Sequence, residues 1–122
     1  MYRRDRIRPA GPPLEMLSGD DTRATLYRDK LPCLPGTRDL VNLGVNSTLY
    51  PGNLQSLPDG LASLAEQEPL LCDPQTSGGL LLSAPPGKAA RLVEALAALG
   101  HPASVIGEVH AGGGEPRVEL LN

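Results

Sequence analysis

The chain has 122 residues, a net charge of −3 at pH 7 and 40% hydrophobic residues, a balance that suits one globular domain and excludes a disordered chain. It contains no Phe, no Trp and only three Tyr, so its core must be aliphatic. Four of the eleven basic residues lie within residues 1–8, and the rest of the chain is acidic. An acidic body with so few aromatic rings is a poor surface for nucleic acid, and we expect no such partner.

The sequence also argues against a membrane or secretory protein. No apolar run approaches the ~20 residues that a membrane-spanning helix needs, and the first residues lack the apolar segment of a secretory signal. Cys33 and Cys72 are too few and too far apart in sequence to indicate a disulfide framework or a metal site. We therefore expect a cytoplasmic protein with reduced thiols and no membrane partner.

The patterns of apolar and turn-forming residues predict one domain over residues 14–122, preceded by a flexible basic and proline-rich segment over residues 1–13. In chain order they predict a helix over 14–17, a strand over 22–28, a helix over 38–43, a loop over 45–55, a helix over 58–68, a doubly buried strand over 79–84, a helix over 86–100, a strand over 103–109, and a hairpin at 111–115 leading to a strand over 117–121. This order favours an α/β (α+β) fold, in which helices cover a four-stranded, largely antiparallel or mixed sheet, as in ferredoxin-like sandwiches.

The most distinctive stretch is the polar loop over residues 73–79, Asp-Pro-Gln-Thr-Ser-Gly-Gly, which separates two apolar runs. Gly78 and Gly79 permit close backbone approach, and the hydroxyls of Thr76 and Ser77 can bond neighbouring amides or a ligand. Two interpretations stay open. The loop presents backbone N–H groups to a phosphate, or it is a structural turn whose aspartate caps its own amides. It is not a Walker A loop, because no Gly-Lys-Ser/Thr follows.

Other chemically interesting residues favour ordinary structural roles. His101 and His110 would lie ~30 Å apart along one strand, too far to bind one metal. Cys72 has no neighbouring base in the sequence and is predicted to be a small buried apolar residue rather than a nucleophile. Glu66 and Glu68 stand near a predicted helix end, where solvated acids are common. The residues alone thus predict no catalytic group and no metal ligand.

Residues 70–82 resemble the signature loop in the C-terminal half of selenophosphate synthetases (selenide, water dikinases). Four further segments resemble that half in the same order: Leu14–Leu17, Leu31–Gly36, Ser47–Leu54 and Val105–Val109. The resemblance implies an enzyme that converts ATP, selenide and water to selenophosphate, AMP and phosphate with Mg²⁺. It also implies a two-domain subunit, related to aminoimidazole ribonucleotide synthetase, that dimerises through its N-terminal domain.

In that family the N-terminal domain carries most of the nucleotide site, a reactive Cys or selenocysteine with its Lys, and a metal-binding aspartate in an Asp-Val-Thr-Gly-Phe-Gly run. Residues 8–13, Arg-Pro-Ala-Gly-Pro-Pro, occupy the place of that run here. The resemblance therefore implies a C-terminal domain without dikinase activity of its own and without a cofactor. Its partner would be the missing N-terminal ATP-binding domain.

The resemblance assigns a substrate- or phosphate-facing role to six loop residues, namely Asp73, Gln75, Thr76, Ser77, Gly78 and Gly79. Two alternatives to a domain of a dikinase remain open on the same fold. One is a stand-alone module that binds phosphate or a nucleotide. The other is a structural module for oligomerisation, which would expose the aliphatic surface that a partner covers.

Overall fold

The computed structural model describes residues 21–57, 61–74, 79–112 and 118–122. The strands are β1 (Thr22–Tyr27), β2 (Gly107–Ala111) and β3 (Val118–Leu121). The α-helices are α1 (Thr37–Asn42), α2 (Tyr50–Gln55), α3 (Ala62–Gln67) and α4 (Ala89–Ala98), and 3₁₀ turns span Arg28–Lys30 and Pro69–Cys72. The predicted flexible segment over 1–13 and the predicted helix over 14–17 lie outside these residues.

The three strands form one mixed sheet with β1 in the middle, in the order β2-β1-β3. β1 pairs with β2 antiparallel, with Ala24 opposite Val109, and with β3 parallel, with Ala24 opposite Val118. An α+β fold with a mixed sheet is therefore confirmed, whereas a fourth strand is not found among the described residues. The predicted hairpin between the last two strands is wrong, because β1 lies between β2 and β3.

The aliphatic core forms where the sheet meets α3 and the second 3₁₀ turn. Its buried members are Ala24, Leu26, Leu61, Leu64, Leu71 and Val118. Ala24 and Leu26 alternate along β1 as predicted, and Leu61 and Leu64 share a face because they are three residues apart at the start of α3. Full burial of one leucine contributes about 1.5–3 kcal/mol to the free energy of folding. The buried leucines of this core therefore contribute strongly to the stability of the fold.

Residues 79–84 do not form the buried strand that their apolar sequence predicts. They carry no regular secondary structure, and Leu80 is 89% exposed. A continuous apolar run specifies only the character of its side chains. A strand also needs a neighbour with which to exchange backbone hydrogen bonds, and no described strand pairs with this segment.

The predicted loop over 45–55 contains a helix instead. α2 includes Pro51 in its first turn, a position that tolerates proline because the first amides of a helix have no partner within the helix. The Ser56 hydroxyl donates to the Gly52 carbonyl at 2.8 Å and supports the last turn. The Pro-Gly-Asn sequence is thus part of a helix, in which the Asn53 N–H donates to the Leu49 carbonyl at 3.0 Å.

The remaining elements were predicted correctly in type but not always in extent. α1 begins at Thr37 directly after Gly36, which has a φ of 81°. α3 begins only at Ala62, and residues 58–60 of the predicted helix lie outside the described residues. α4 has its predicted type but buries none of its residues. β2 starts at Gly107, four residues later than predicted.

Gly107 permits the close contact between β1 and β2, and its substitution tests the sheet register. A Cβ at this position would overlap the Thr25 carbonyl oxygen and lie 3.1 Å from the Leu26 Cα, both in the backbone of β1. We expect Gly107→Ala to lower the free energy of unfolding by about 1–3 kcal/mol, as overpacking usually does. Urea unfolding followed by circular dichroism measures the change.

Gly79→Ala is the matched control for this substitution. Nothing lies within 4 Å of a Cβ at Gly79, so a surface effect within about 0.5 kcal/mol is expected. Equal stability of the Gly107→Ala and Gly79→Ala proteins would contradict the observed pairing of β1 with β2.

Candidate functional site

The candidate site is the stem of the polar loop, by which we mean residues 70–73. Here the second 3₁₀ turn leads into the loop over residues 73–79. Asp73 is half-buried, and its backbone N–H donates to the Leu70 carbonyl at 3.2 Å. Its extended backbone, with φ −69° and ψ 132°, is what a residue before proline adopts. Gly79 is exposed, with open space where a side chain would be. The other predicted site residues, Gln75, Thr76, Ser77 and Gly78, lie outside the described residues.

Asn53 of α2 anchors this stem from the side. Its side chain is buried, and its Nδ2 donates to the Cys72 carbonyl oxygen at 2.9 Å. The two residues are 19 positions apart in the sequence, so the bond joins α2 to the last residue before Asp73. A buried carbonyl needs such a donor, because leaving it unpaired costs about 1–3 kcal/mol. Asn53 therefore ties α2 to the stem.

Cys72 is buried at the same place, which confirms that it is a small buried residue and not an exposed nucleophile. Only 1% of its surface is accessible. Tyr50, at the start of α2, lies close to it. Burial raises the pKa of Tyr50, and a repulsive interaction with a Cys72 thiolate raises it further. The sulfur thus contributes to packing between α2 and the stem, whereas Cys33 is exposed in the connector before α1.

A buried carboxylate holds the other side of the stem. Glu68, directly before the second 3₁₀ turn, is 1% exposed and uses one oxygen, Oε2, to bind two arginines. Arg28 Nε lies 3.2 Å and Arg38 Nη1 2.5 Å from this oxygen. Arg38 Nη2 also donates to the Arg28 carbonyl at 3.1 Å. We call Arg28, Arg38 and Glu68 the arginine cluster.

The arginine cluster corrects the prediction that Glu68 is a solvated acid at a helix end. A buried carboxylate is costly unless it is paired and hydrogen-bonded, and here both conditions are met. The hydrogen bond to Glu68 is the main reason that the pKa of Arg38 is raised. Sequence reasoning missed the cluster because its arginines lie 40 and 30 residues from Glu68, and no local pattern relates residues so far apart.

The structure assigns no metal role to the residues it describes. Within residues 21–57, 61–74, 79–112 and 118–122, no three His, Cys, Asp or Glu side chains are grouped closely enough to hold a metal ion. His110 Nε2 lies 3.9 Å from Glu108 Oε2 on the same strand. In the same ranges, no helix is long and apolar enough to cross a membrane.

A shallow surface groove of about 240 Å³ lies apart from the stem, between α3 and β3. Its lining includes Ser63 and Gln67 of α3 and residues 118–121 of β3. Glu119 supplies its one charged side chain, and no cation in the lining could hold an anion. The groove thus does not suit phosphate chemistry, in contrast to the arginine cluster.

Replacing Asn53 tests the anchor of the stem. Asn53→Ala would leave the buried Cys72 carbonyl without its Asn53 donor, and we expect it to lower the free energy of unfolding by about 1–3 kcal/mol. We also expect faster amide hydrogen exchange at residues 70–73, because the stem loses its link to α2. Chemical denaturation and exchange followed by mass spectrometry measure the two effects.

Asn46→Ala is the matched control, since Asn46 Nδ2 also donates to a backbone carbonyl, that of Gly44 at 3.3 Å, but in an exposed loop. Its effect should stay within about 0.5 kcal/mol, as for most surface changes. Similar exchange rates at residues 70–73 in both variants would show that Asn53 does not hold the stem.

Comparison with known proteins shows the family to which the chain belongs. Residues 12–119 match the family described as AIR synthase related protein, C-terminal domain. Among curated proteins, the chain is 36% identical over 119 residues to "Selenide, water dikinase" of Dechloromonas aromatica (strain RCB). It is also 36% identical over 114 residues to the protein of the same name from Cronobacter sakazakii (strain ATCC BAA-894).

These alignments cover 92% and 87% of the chain but only 33% and 31% of the two relatives. The chain therefore spans about a third of the length of the curated relatives it matches. The family match extends from before β1 into β3 and includes the whole stem. The chain belongs to the AIR synthase related protein, C-terminal domain, family, and its similarity to selenide, water dikinases confirms the resemblance that residues 70–82 indicate.

Proposed function

We propose that this chain acts as the C-terminal domain of a selenide, water dikinase, which forms selenophosphate, AMP and phosphate from ATP, selenide and water. The observation that carries the proposal is 36% identity to such proteins along 92% of the chain. The family match includes the polar loop, whose sequence is the most specific feature of the resemblance. In this role the domain supplies a wall of a phosphoryl-transfer site.

The polar loop is the part of the domain that faces substrate in this proposal. Asp73, Gln75, Thr76, Ser77, Gly78 and Gly79 line the cleft, with backbone N–H groups and hydroxyls as hydrogen-bond donors. Such donors help phosphoryl transfer only when they are held in place before the reaction. The buried bond from Asn53 to Cys72 and the arginine cluster support this requirement, since they fix the stem on two sides.

The partner in this proposal is an N-terminal ATP-binding domain, which also binds Mg²⁺ and forms the homodimer. Several exposed leucines support such a partner, because these large apolar side chains are mostly in contact with solvent. Leu80 is 89% exposed, and Leu34 and Leu43 are each 79% exposed. An N-terminal domain that packs on these leucines would remove their apolar surface from water. We propose that the chain alone has no dikinase activity and that the assembled enzyme is cytoplasmic.

The exposed leucines also favour a second candidate, an oligomerisation module on the same fold. In that case the apolar surface is covered by further copies of the chain. Sedimentation at increasing protein concentration separates the two functions. A monomer that binds an N-terminal domain supports the dikinase role, whereas concentration-dependent self-association without such binding supports the module.

A chimera tests the proposed function. Its N-terminal two thirds come from the Dechloromonas aromatica protein, and this chain replaces the aligned third. We expect the chimera to convert ATP to AMP only when selenide is present, and we expect the chain alone and the N-terminal part alone to be inactive. Phosphorus NMR follows AMP and selenophosphate directly. Selenide-dependent AMP formation by the isolated chain would contradict the proposed dependence on a partner domain.

Ser77→Ala in the active chimera tests the polar loop. If the Ser77 hydroxyl donates to the reacting groups, its loss should reduce kcat by about 100-fold, the effect of removing one donor from a preorganised site. Ser83→Ala removes a hydroxyl from an exposed serine beyond the loop and should leave kcat unchanged. Equal kcat values for the two variants would remove Ser77 from the site.

A further inference from the structure

The arginine cluster carries one positive charge more than its carboxylate neutralises. Arg28 and Arg38 share the single Oε2 of Glu68, so two guanidinium groups face one buried carboxylate. The neighbouring charged residues along the chain are Asp29, Lys30 and Asp39. Lys30 Nζ lies 3.3 Å from Asp29 Oδ2, and both of these side chains are exposed, while Asp39 directly follows Arg38 and adds a negative charge. The geometry of the guanidinium donors, rather than an excess of charge, therefore distinguishes the cluster.

The two arginines differ in the use of their donors. Arg38 donates through Nη1 to Glu68 and through Nη2 to the Arg28 carbonyl, so both ends of its fork are engaged within the protein. Arg28 contacts Glu68 through Nε alone, at 3.2 Å, and 45% of its side chain is exposed. Its two η nitrogens carry four further N–H donors. Arg28 is thus oriented by a buried acid while its fork faces solvent.

Such a guanidinium suits an oxyanion. The planar fork of arginine matches the spacing of two phosphoryl oxygens and forms two charge-assisted hydrogen bonds with them. The contact through Nε already restricts the Arg28 side chain. A ligand that binds Arg28 therefore pays a smaller cost in side-chain entropy. Arg38 also helps to position Arg28, because its Nη2 donates to the Arg28 carbonyl. A carboxylate offers two oxygens to such a fork, whereas a phosphoryl group offers three and carries more negative charge.

We propose that Arg28 forms a binding site for a phosphoryl group, with Arg38 and Glu68 as positioning residues. Inorganic phosphate and the phosphate of a phosphomonoester share the chemistry that this site recognises. Arg28 contacts the ligand, Glu68 orients Arg28, and Arg38 connects both to α1. The inference does not rest on the proposed function, because it concerns binding by this chain alone.

Phosphate titration of the whole chain, observed by NMR at the arginine Nε–Hε signals, tests the site without any variant. Sodium chloride at matched ionic strength is the reference, because surface charges respond to salt in general. We expect Arg28 to shift saturably with phosphate and not with chloride, and Arg91, which is exposed on α4, to remain unchanged. Absence of saturation in the millimolar range, or equal shifts at the two arginines, would overturn the proposal.

Arg28→Lys provides the matched variant. Lysine keeps the positive charge beside Glu68 but has no planar fork, so phosphate affinity should fall about tenfold, consistent with the loss of one of two charge-assisted bonds. Arg91→Lys is the control and should bind phosphate like the original chain. Equal affinity of the Arg28→Lys and original proteins would place the phosphate elsewhere.

AMP is then titrated in the same way, and it distinguishes a phosphomonoester from free phosphate as the preferred ligand. The outcome is separable from that of the chimera. A saturable shift at Arg28 alongside an inactive chimera would support this site and contradict the dikinase role. An active chimera without phosphate binding at Arg28 would support the dikinase role and contradict the phosphate site.

Discussion

The structure around the polar loop depends on one buried carboxylate. Glu68 has almost no contact with water, and two guanidinium groups take the place of its hydration. Those groups come from the 3₁₀ turn after β1 and from α1, so the pairing joins two separate parts of the chain to the residue that precedes the stem. Loss of either partner would leave a buried charge incompletely compensated.

The position of the stem is thus determined by its contacts with other parts of the fold rather than by its own sequence. β1 is the central strand, hydrogen-bonded on both sides, and it continues directly into the turn that holds Arg28. On the opposite side, Leu71 joins the aliphatic core, and Asn53 fixes the following carbonyl. Core packing, one neutral hydrogen bond and one ionic cluster therefore act on Leu71, Cys72 and Glu68, all within the five residues before Asp73. Together these contacts fix the base of the polar loop.

The other half of the molecule is organised differently. α4 buries none of its residues, and Leu80 and Leu82 are exposed in the segment that leads towards it. In the proposed function, an N-terminal domain would cover these exposed leucines.

Local sequence patterns determined much of this protein. Alternation predicted β1 and its inward residues Ala24 and Leu26. Capping and closing residues predicted α1, and apolar spacing predicted α3 and α4. The loop sequence over residues 70–82 indicated the family, and the lack of a neighbouring base predicted that Cys72 is a small buried residue. Each of these properties depends on side chains within about one or two turns of each other, a range that sequence periodicity reports directly.

Only the tertiary structure decided which distant groups meet. It placed β1 between β2 and β3, left residues 79–84 without a partner among the described strands, and joined the helix over residues 50–55 to Cys72 through Asn53. It also buried Glu68, which the sequence alone had suggested to be solvated, between arginines 30 and 40 residues away. The physical reason is the same in each case. Pairing of strands and of buried polar groups depends on the path of the whole chain, and the sequence near each group carries no record of its distant partner.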